Sequence, residues 1–270
     1  MPNRKRIGIA FLDAVDWIMN GIVRIVLFGI LGISSFSLYD TYMIYNEASP
    51  NQLYSRYRPI SDNDAGLSFG ELMTLNSDVV GWLTLDDTNI DYPVVQGENN
   101  SYYLNRDALG NYSLSGSIFM DSENSPNFFD PYTLLYGHHM DYDVMFGGLD
   151  YFEDQDYFDS HRTGKLWIDE SHYYELTVVS CLATDAYDEQ VFCVLSDGSD
   201  KILSSLYAYL KKESIHCLDN LDENTPLLGL STCTNAGTNA RTLVFCALGK
   251  LHKETYADQS FLCRAQGTRT

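Results

Sequence analysis

The sequence predicts a mainly β fold: an eight-stranded barrel with peripheral helices, carried behind one N-terminal apolar helix. Three observations lead there. Eight short runs with strand signals lie between residues 82 and 250. Turn residues separate them, as in Asp86-Asp87-Thr88-Asn89, and many short strands joined in this way point to a barrel. Ahead of them, residues 25–44 are almost all apolar or small, with Asp40 near the far end.

The chain opens with Arg4-Lys5-Arg6, and Arg24 is the only charge between Asp16 and Asp40. Twenty helical residues at about 1.5 Å each span about 30 Å, one hydrocarbon core. Trp17 precedes the span and Tyr39, Tyr42 and Tyr45 lie near its outer end, as interfacial anchors do. Arg24 can snorkel to the inner headgroups. Basic residues before the span and acidic ones after it set the N-terminus inside and the globular part outside. A cleaved signal peptide competes with this reading, but no A-x-A site follows the apolar run. The expected division is a cytoplasmic segment 1–24, a transmembrane anchor 25–44, a stalk 45–67 holding Pro50 and Pro59, a globular domain 68–252 and a tail 253–270.

Within the globular part, Ser68-Phe69-Gly70-Glu71 has capping-box spacing and predicts a short helix to about Leu75. The strands are expected at 82–85, 90–95, 117–121, 133–137, 165–169, 173–182, 227–232 and 241–250. Ile202, Leu203, Leu206 and Leu210 fall at helical spacing, so residues 200–214 read as a helix between the sixth and seventh strands. Residues 145–158 read as a second helical or irregular cover.

Net charge is -20, with most acids beyond the apolar run. Such a chain is a poor partner for nucleic acid or an anionic membrane surface. The six cysteines, 181, 193, 217, 233, 246 and 263, form no CxxC pair and match no zinc spacing. Cys181 and Cys246 lie in apolar runs and read as small core residues.

The chemistry concentrates on Leu227-Leu228-Gly229-Leu230-Ser231-Thr232-Cys233 and on Arg241 beyond it. The first run reads as a buried strand, residues 234–240 as a polar loop, and the alternating stretch from Arg241 as a second strand. An antiparallel pairing would set Cys233 and Arg241 at one rim. A thiol beside a guanidinium supplies a nucleophile and a fixed positive charge for an oxyanion. A base is still needed. Leu134-Leu135-Tyr136-Gly137-His138-His139 places two adjacent histidines at another strand end, and neighbours on a strand face opposite ways. Ser231 and Thr232 read as shaping the strand. No acid lies near Cys233 in sequence, so a Cys-His-Asp triad is not indicated.

Leu230-Ser231-Thr232-Cys233 with Arg241 resembles the signature of the sortases. Tyr136-Gly137-His138 resembles the histidine motif of the class B branch, as do Asp78-Val79-Val80-Gly81-Trp82-Leu83 and the run from Thr88-Asn89-Ile90-Asp91-Tyr92-Pro93 to Gly97. The likeness covers about residues 68–250. It implies the eight-stranded sortase barrel, with the 200–214 helix as the one expected in class B. It selects His138 over His139, because the motif's histidine directly follows Tyr-Gly. His139 stands where class B relatives commonly have Asn. It further implies a membrane-anchored cysteine transpeptidase on the outer face of a cell with an exposed wall, with Cys233, His138 and Arg241 as its catalytic residues. The substrate would be a surface protein with a C-terminal sorting signal, cleaved at a Thr–X bond through a thioacyl intermediate. The acceptor would be an amine of a wall precursor or, in a pilin polymerase, a pilin lysine. The resemblance calls for no metal or organic cofactor. A purely hydrolytic cysteine protease and a silent binding module are the readings from other classes.

Overall fold

The computed structural model describes residues 3–49, 54–59, 68–194, 200–233 and 239–253. The chain divides into two compact units, Met1–Asn46 and Glu47–Thr270. The first unit belongs to helix α1 (Asn3–Ala48), of which Leu12–Ala48 is long and apolar enough to cross a membrane.

The second unit begins its regular structure with α2 (Phe69–Leu75). The Ser68 hydroxyl accepts from the Glu71 N–H at 3.2 Å, the cap that the sequence predicts. All eight expected strands form: β1 (Val79–Leu85), β2 (Asp91–Val95), β3 (Ile118–Met120), β4 (Tyr132–His138), β5 (Thr163–Trp167), β6 (His172–Asp185), β8 (Leu227–Cys233) and β9 (Ala240–Lys253). A two-residue strand, β7 (His216–Cys217), pairs with β6 and is too short to show in a pattern. The order is β5-β1-β2-β3-β4-β8-β9-β6-β7, and β5 also pairs with β6, which closes eight strands into a barrel. Most neighbours are antiparallel; β2–β3 and β4–β8 are parallel. Strands β6 and β9 outrun their expected bounds. They pair with each other from Asp185↔Ala240 to His172↔Lys253, through two irregularities, and their exposed ends carry no apolar alternation to read.

Both faces of the sheet around β4, β8 and β9 are apolar, and each has its own cover. Inside the barrel, Leu135, Leu228, Leu230, Val244, Cys246 and Val178 share a buried cluster with Phe146, Leu149, Phe152 and Phe158. Those phenylalanines and the leucine come from the expected second cover. It consists of a 3-10 turn (Gly147–Glu153) and α3 (Gln155–Ser160), the latter capped by Asp154. Outside, Leu134, Leu227, Leu243, Phe245 and Leu182 pack against Leu203, Leu206, Tyr207 and Leu210 of α5 (Asp200–Glu213). Each fully buried side chain of this kind is worth about 1.5–3 kcal/mol, so the helix is held mainly by this stripe. The Tyr207 hydroxyl donates to the Thr225 carbonyl at 2.8 Å.

A third cluster joins Trp82, Phe69 and Leu72 to Tyr54 and Tyr57, both from the stretch read as a stalk. Beside them Arg58 pairs with Asp91 at 2.6 Å, and Asp91 also accepts from the Trp82 indole at 2.6 Å. Burial raises the Asp91 carboxyl above the usual carboxylate range, against the Trp82 hydrogen bond and the Arg58 charge. An acid raised on folding contributes stability at low pH and loses it as pH rises through its folded value. Arg58 limits that loss. Arg58→Ala should therefore cost little in acid and about 1–2 kcal/mol at neutral pH, the screened end of the range for charged hydrogen bonds. Urea unfolding at the two pH values checks this; an equal loss at both would show that the Arg58 charge is not what matters.

Candidate active site

Because β4 and β8 are parallel, their carboxyl ends reach the same rim. Their paired Cα positions include Tyr136↔Ser231 and His138↔Cys233, and neighbouring strands lie about 4.8 Å apart. Strand β9 runs back along β8 as far as the pair Ser231↔Leu243. One residue on, the Thr232 hydroxyl replaces the ladder. Its oxygen accepts from the Thr242 N–H at 3.2 Å and donates to the Thr242 carbonyl at 3.4 Å. That register, continued by one more residue, sets Cys233 across from Arg241. The three residues chosen from the sequence thus meet at adjacent strand ends. The loop that was expected between Cys233 and Arg241 has residues 234–238 outside the described residues.

His138 and Arg241 belong to the outer face, the one that α5 covers. Down the strands Leu134 and Leu243 are fully buried, whereas Tyr136, His138 and Arg241 are partly exposed. The cover thins toward the rim, and the polar residues emerge where it does. Tyr136 forms the step between the two zones. Its ring lies 5.3 Å from Phe119 and stacks 6.5 Å from Phe192, and its hydroxyl donates to Asp121 at 2.8 Å. Gly137 separates Tyr136 from His138 because a Cβ there would meet Ile118 and Phe146 at 2.5 and 2.7 Å.

The adjacent histidines diverge, as strand alternation requires. His138 is half-buried, with Nε2 2.7 Å from the Leu104 carbonyl. His139 instead reaches Asp150 at 2.7 Å. No carboxylate among the described hydrogen bonds pairs with His138, in keeping with the absence of an acid near Cys233 in the sequence.

Arg241 donates to the Ala240 carbonyl at 3.2 Å and pairs in register with Thr184 of β6. Thr184 and Tyr209 both donate to one oxygen of Asp188 at 2.6 Å. The other oxygen caps α4 (Glu189–Phe192) by accepting from the Gln190 N–H at 3.0 Å. One carboxylate therefore ties the end of β6, α4 and α5 into a wall beside Arg241. Sequence reading missed Asp188, although an aspartate just ahead of Glu189-Gln190-Val191-Phe192 is an N-cap signal. It also missed the Leu104 carbonyl, for which a sequence carries no signal.

Two of the other described cysteines are buried. Burial pushes the Cys181 and Cys246 thiols up to about 12, with Glu153 and Asp150 adding to the effect at Cys181. Cys217 is raised by burial too, and Cys193 is exposed just after α4. All four are free thiols.

A family model for the sortase domain matches residues 83–249. Sortase B of Listeria monocytogenes is 34% identical over 166 residues, which are 60% of this chain and 65% of that protein. Sortase B of Staphylococcus aureus is 29% identical over 223 residues, 80% of this chain and 89% of that protein. The chain thus spans just under two thirds of the first relative and most of the second. Among solved structures, a Bacillus anthracis sortase B in complex with AAEK1 superposes with TM-score 0.64 at 31% identity, covering 80% of this chain and 99% of that one. A Streptococcus pyogenes class B sortase involved in pilus biogenesis gives TM-score 0.59 at 36% identity, covering 67% and 97%.

The Thr232 link is directly testable. Thr232→Val keeps the shape but leaves the buried Thr242 N–H unpaired, which should cost about 1–3 kcal/mol in chemical denaturation. No loss would mean that the hydroxyl is not holding the two strands. In the same preparation, iodoacetamide should modify Cys193 in the folded protein and spare Cys181 and Cys246 until it unfolds. Early labelling of either buried thiol would contradict the packing.

Proposed function

The chain belongs to the sortase family of cysteine transpeptidases, with class B enzymes as its relatives, and from that premise we propose that it works as a membrane-anchored sortase using Cys233, His138 and Arg241. The observation that carries this reading is the parallel register His138↔Cys233, with Arg241 on the next strand. The Cys233 sulfur attacks the carbonyl carbon of a Thr–X bond in a C-terminal sorting signal. A C–S bond forms, the C–N bond breaks, and His138 gives a proton to the departing amine. The acceptor amine then loses a proton to His138 and attacks the thioester, so that a new amide forms and the thiolate leaves. Arg241 is always charged and carries a fork of donors, which suits the oxyanion of both tetrahedral states. The apolar stretch Leu12–Ala48 supports a single membrane anchor, with the domain outside.

The acceptor we favour is an amine of the cell wall. A pilin lysine is the second reading, favoured by the 36% identity to a class B sortase involved in pilus biogenesis.

The purified protein, incubated with candidate sorting peptides and amines and followed by mass spectrometry, should yield an amide-linked product that Cys233→Ala abolishes. Hydrolysis alone under excess amine would replace this reading with a cysteine protease. A clear preference for a pilin lysine over wall-type amines would select the polymerase.

The pH dependence of kcat/KM separates the roles. Arg241→Ala and Arg241→Lys should slow the reaction by about 10²–10³ without changing the shape of the profile, since arginine does not titrate in this range. His138→Ala should remove a limb of the profile, and His139→Ala should keep a bell shape with a modest loss. Loss of the limb in His139→Ala but not in His138→Ala would reverse the assignment between the two histidines.

A further inference from the structure

We propose that the loop between β2 and β3 is a tautomer clamp for His138, in which the Leu104 carbonyl keeps a proton on Nε2, and that Gly116 is the positioning residue that lets this carbonyl stand where it does. The inference rests on the reading of His138 as the acid and base and assigns that work to Nδ1.

The carbonyls on either side of Leu104 are satisfied within the loop. In the 3-10 turn Tyr102–Asn105 and just after it, the Tyr102 carbonyl accepts from the Arg106 guanidinium at 2.9 Å and the Tyr103 carbonyl from the Ser117 N–H at 3.1 Å. The Asn105 carbonyl accepts from the Ser113 N–H at 3.0 Å and the Arg106 carbonyl from the Ser117 hydroxyl at 2.8 Å. The carbonyl between them, that of Leu104, is the one turned to His138, at 2.7 Å from Nε2. The far end of the loop is fixed by Asp107, whose buried carboxylate accepts from the N–H groups of Leu109 and Asn111 at 2.9 and 2.8 Å.

A carbonyl only accepts, so the nitrogen facing it must carry hydrogen. Neutral His138 is then the Nε2–H tautomer, and the proton that comes and goes does so at Nδ1. The clamp also fixes the plane of the ring, since Nε2 must point at one main-chain oxygen.

Gly116 closes the argument. It has φ +60°, and a Cβ there would lie 2.7 Å from both the Tyr103 and the Leu104 oxygens. Any side chain at this position presses on the carbonyl that holds His138, and backbone cannot yield as a flexible side chain does. Gly110, in the same loop, provides the control. Its φ is +85°, yet nothing lies within 4 Å of its would-be Cβ. A substitution there shares the backbone strain without the contact.

The test uses the full-length protein labelled with ¹⁵N-histidine, the His138 ring signals being assigned by their absence from H138Q. In the neutral form, Nε2 should show the shift of a protonated nitrogen and Nδ1 that of a bare one. Gly116→Ala should mix the two tautomers and lower kcat/KM by up to about 10²-fold, the scale of an ångström-sized misplacement, mainly through kcat. Gly110→Ala should leave both unchanged. An Nδ1–H tautomer in the unmutated protein overturns the proposal, and that measurement stands even if Gly116→Ala does not fold. An unchanged tautomer in Gly116→Ala overturns it as well, and so does Gly110→Ala behaving like Gly116→Ala. A mixed tautomer with an unaltered rate would uphold the clamp and instead sink the reading of His138 as the acid and base.

Discussion

Strands β4 and β8 lie side by side and point the same way, although 88 residues separate them in the chain. Parallel neighbours cannot be joined by a tight turn, so everything from His139 to Pro226 is a crossover that returns the chain to the same starting edge. The arrangement brings two carboxyl ends to one rim, and β9, running back antiparallel, begins at that rim too. A histidine, a cysteine and an arginine that no local structure could assemble are thereby neighbours. The crossover also supplies the means to keep them so: its phenylalanines fill the barrel, its helix α5 covers the outer face, and the capping carboxylate of Asp188 ties the wall beside Arg241.

Strand alternation has a second effect at the same place. His138 and His139 are chemically identical and adjacent, yet one meets a main-chain carbonyl and the other a carboxylate. The two partners ask different things of the ring. A main-chain carbonyl only accepts and is held by the backbone, while a carboxylate sits on a side chain that can follow the ring. Adjacency in sequence thus separates the environments of the two rings instead of pooling them.

The strands were legible because each carries its own alternation or turn chemistry, and those signals are local. The ends of β6 and β9 were not, since Ala183, Asp185, Leu251 and Lys253 face solvent there and lie in the strands only because the opposite strand continues. The cap at Ser68 and the stripe of Leu203, Leu206 and Leu210 were legible for the same local reason. Which strand neighbours which is a long-range property that periodicity does not carry, and the motif resemblance implied only an eight-stranded barrel. At the rim, Cys233 and Arg241 could be named from residue type and position, and His138 from the motif resemblance. The Leu104 carbonyl could not, because every residue has one. Tyr54 and Tyr57 show a further limit: a polar stretch with prolines reads as a tether even where its aromatic side chains are buried.

The closure of the barrel through β5 and β6 has a consequence for how copies of this protein meet one another. An open sheet offers a row of unpaired N–H and C=O groups to any passing strand, a common beginning of aggregation. Here each of the eight strands has a neighbour on both sides, and among the described residues the edge left by the sheet is β7, with two residues. The flanks of the barrel therefore present very little backbone for another chain to add to.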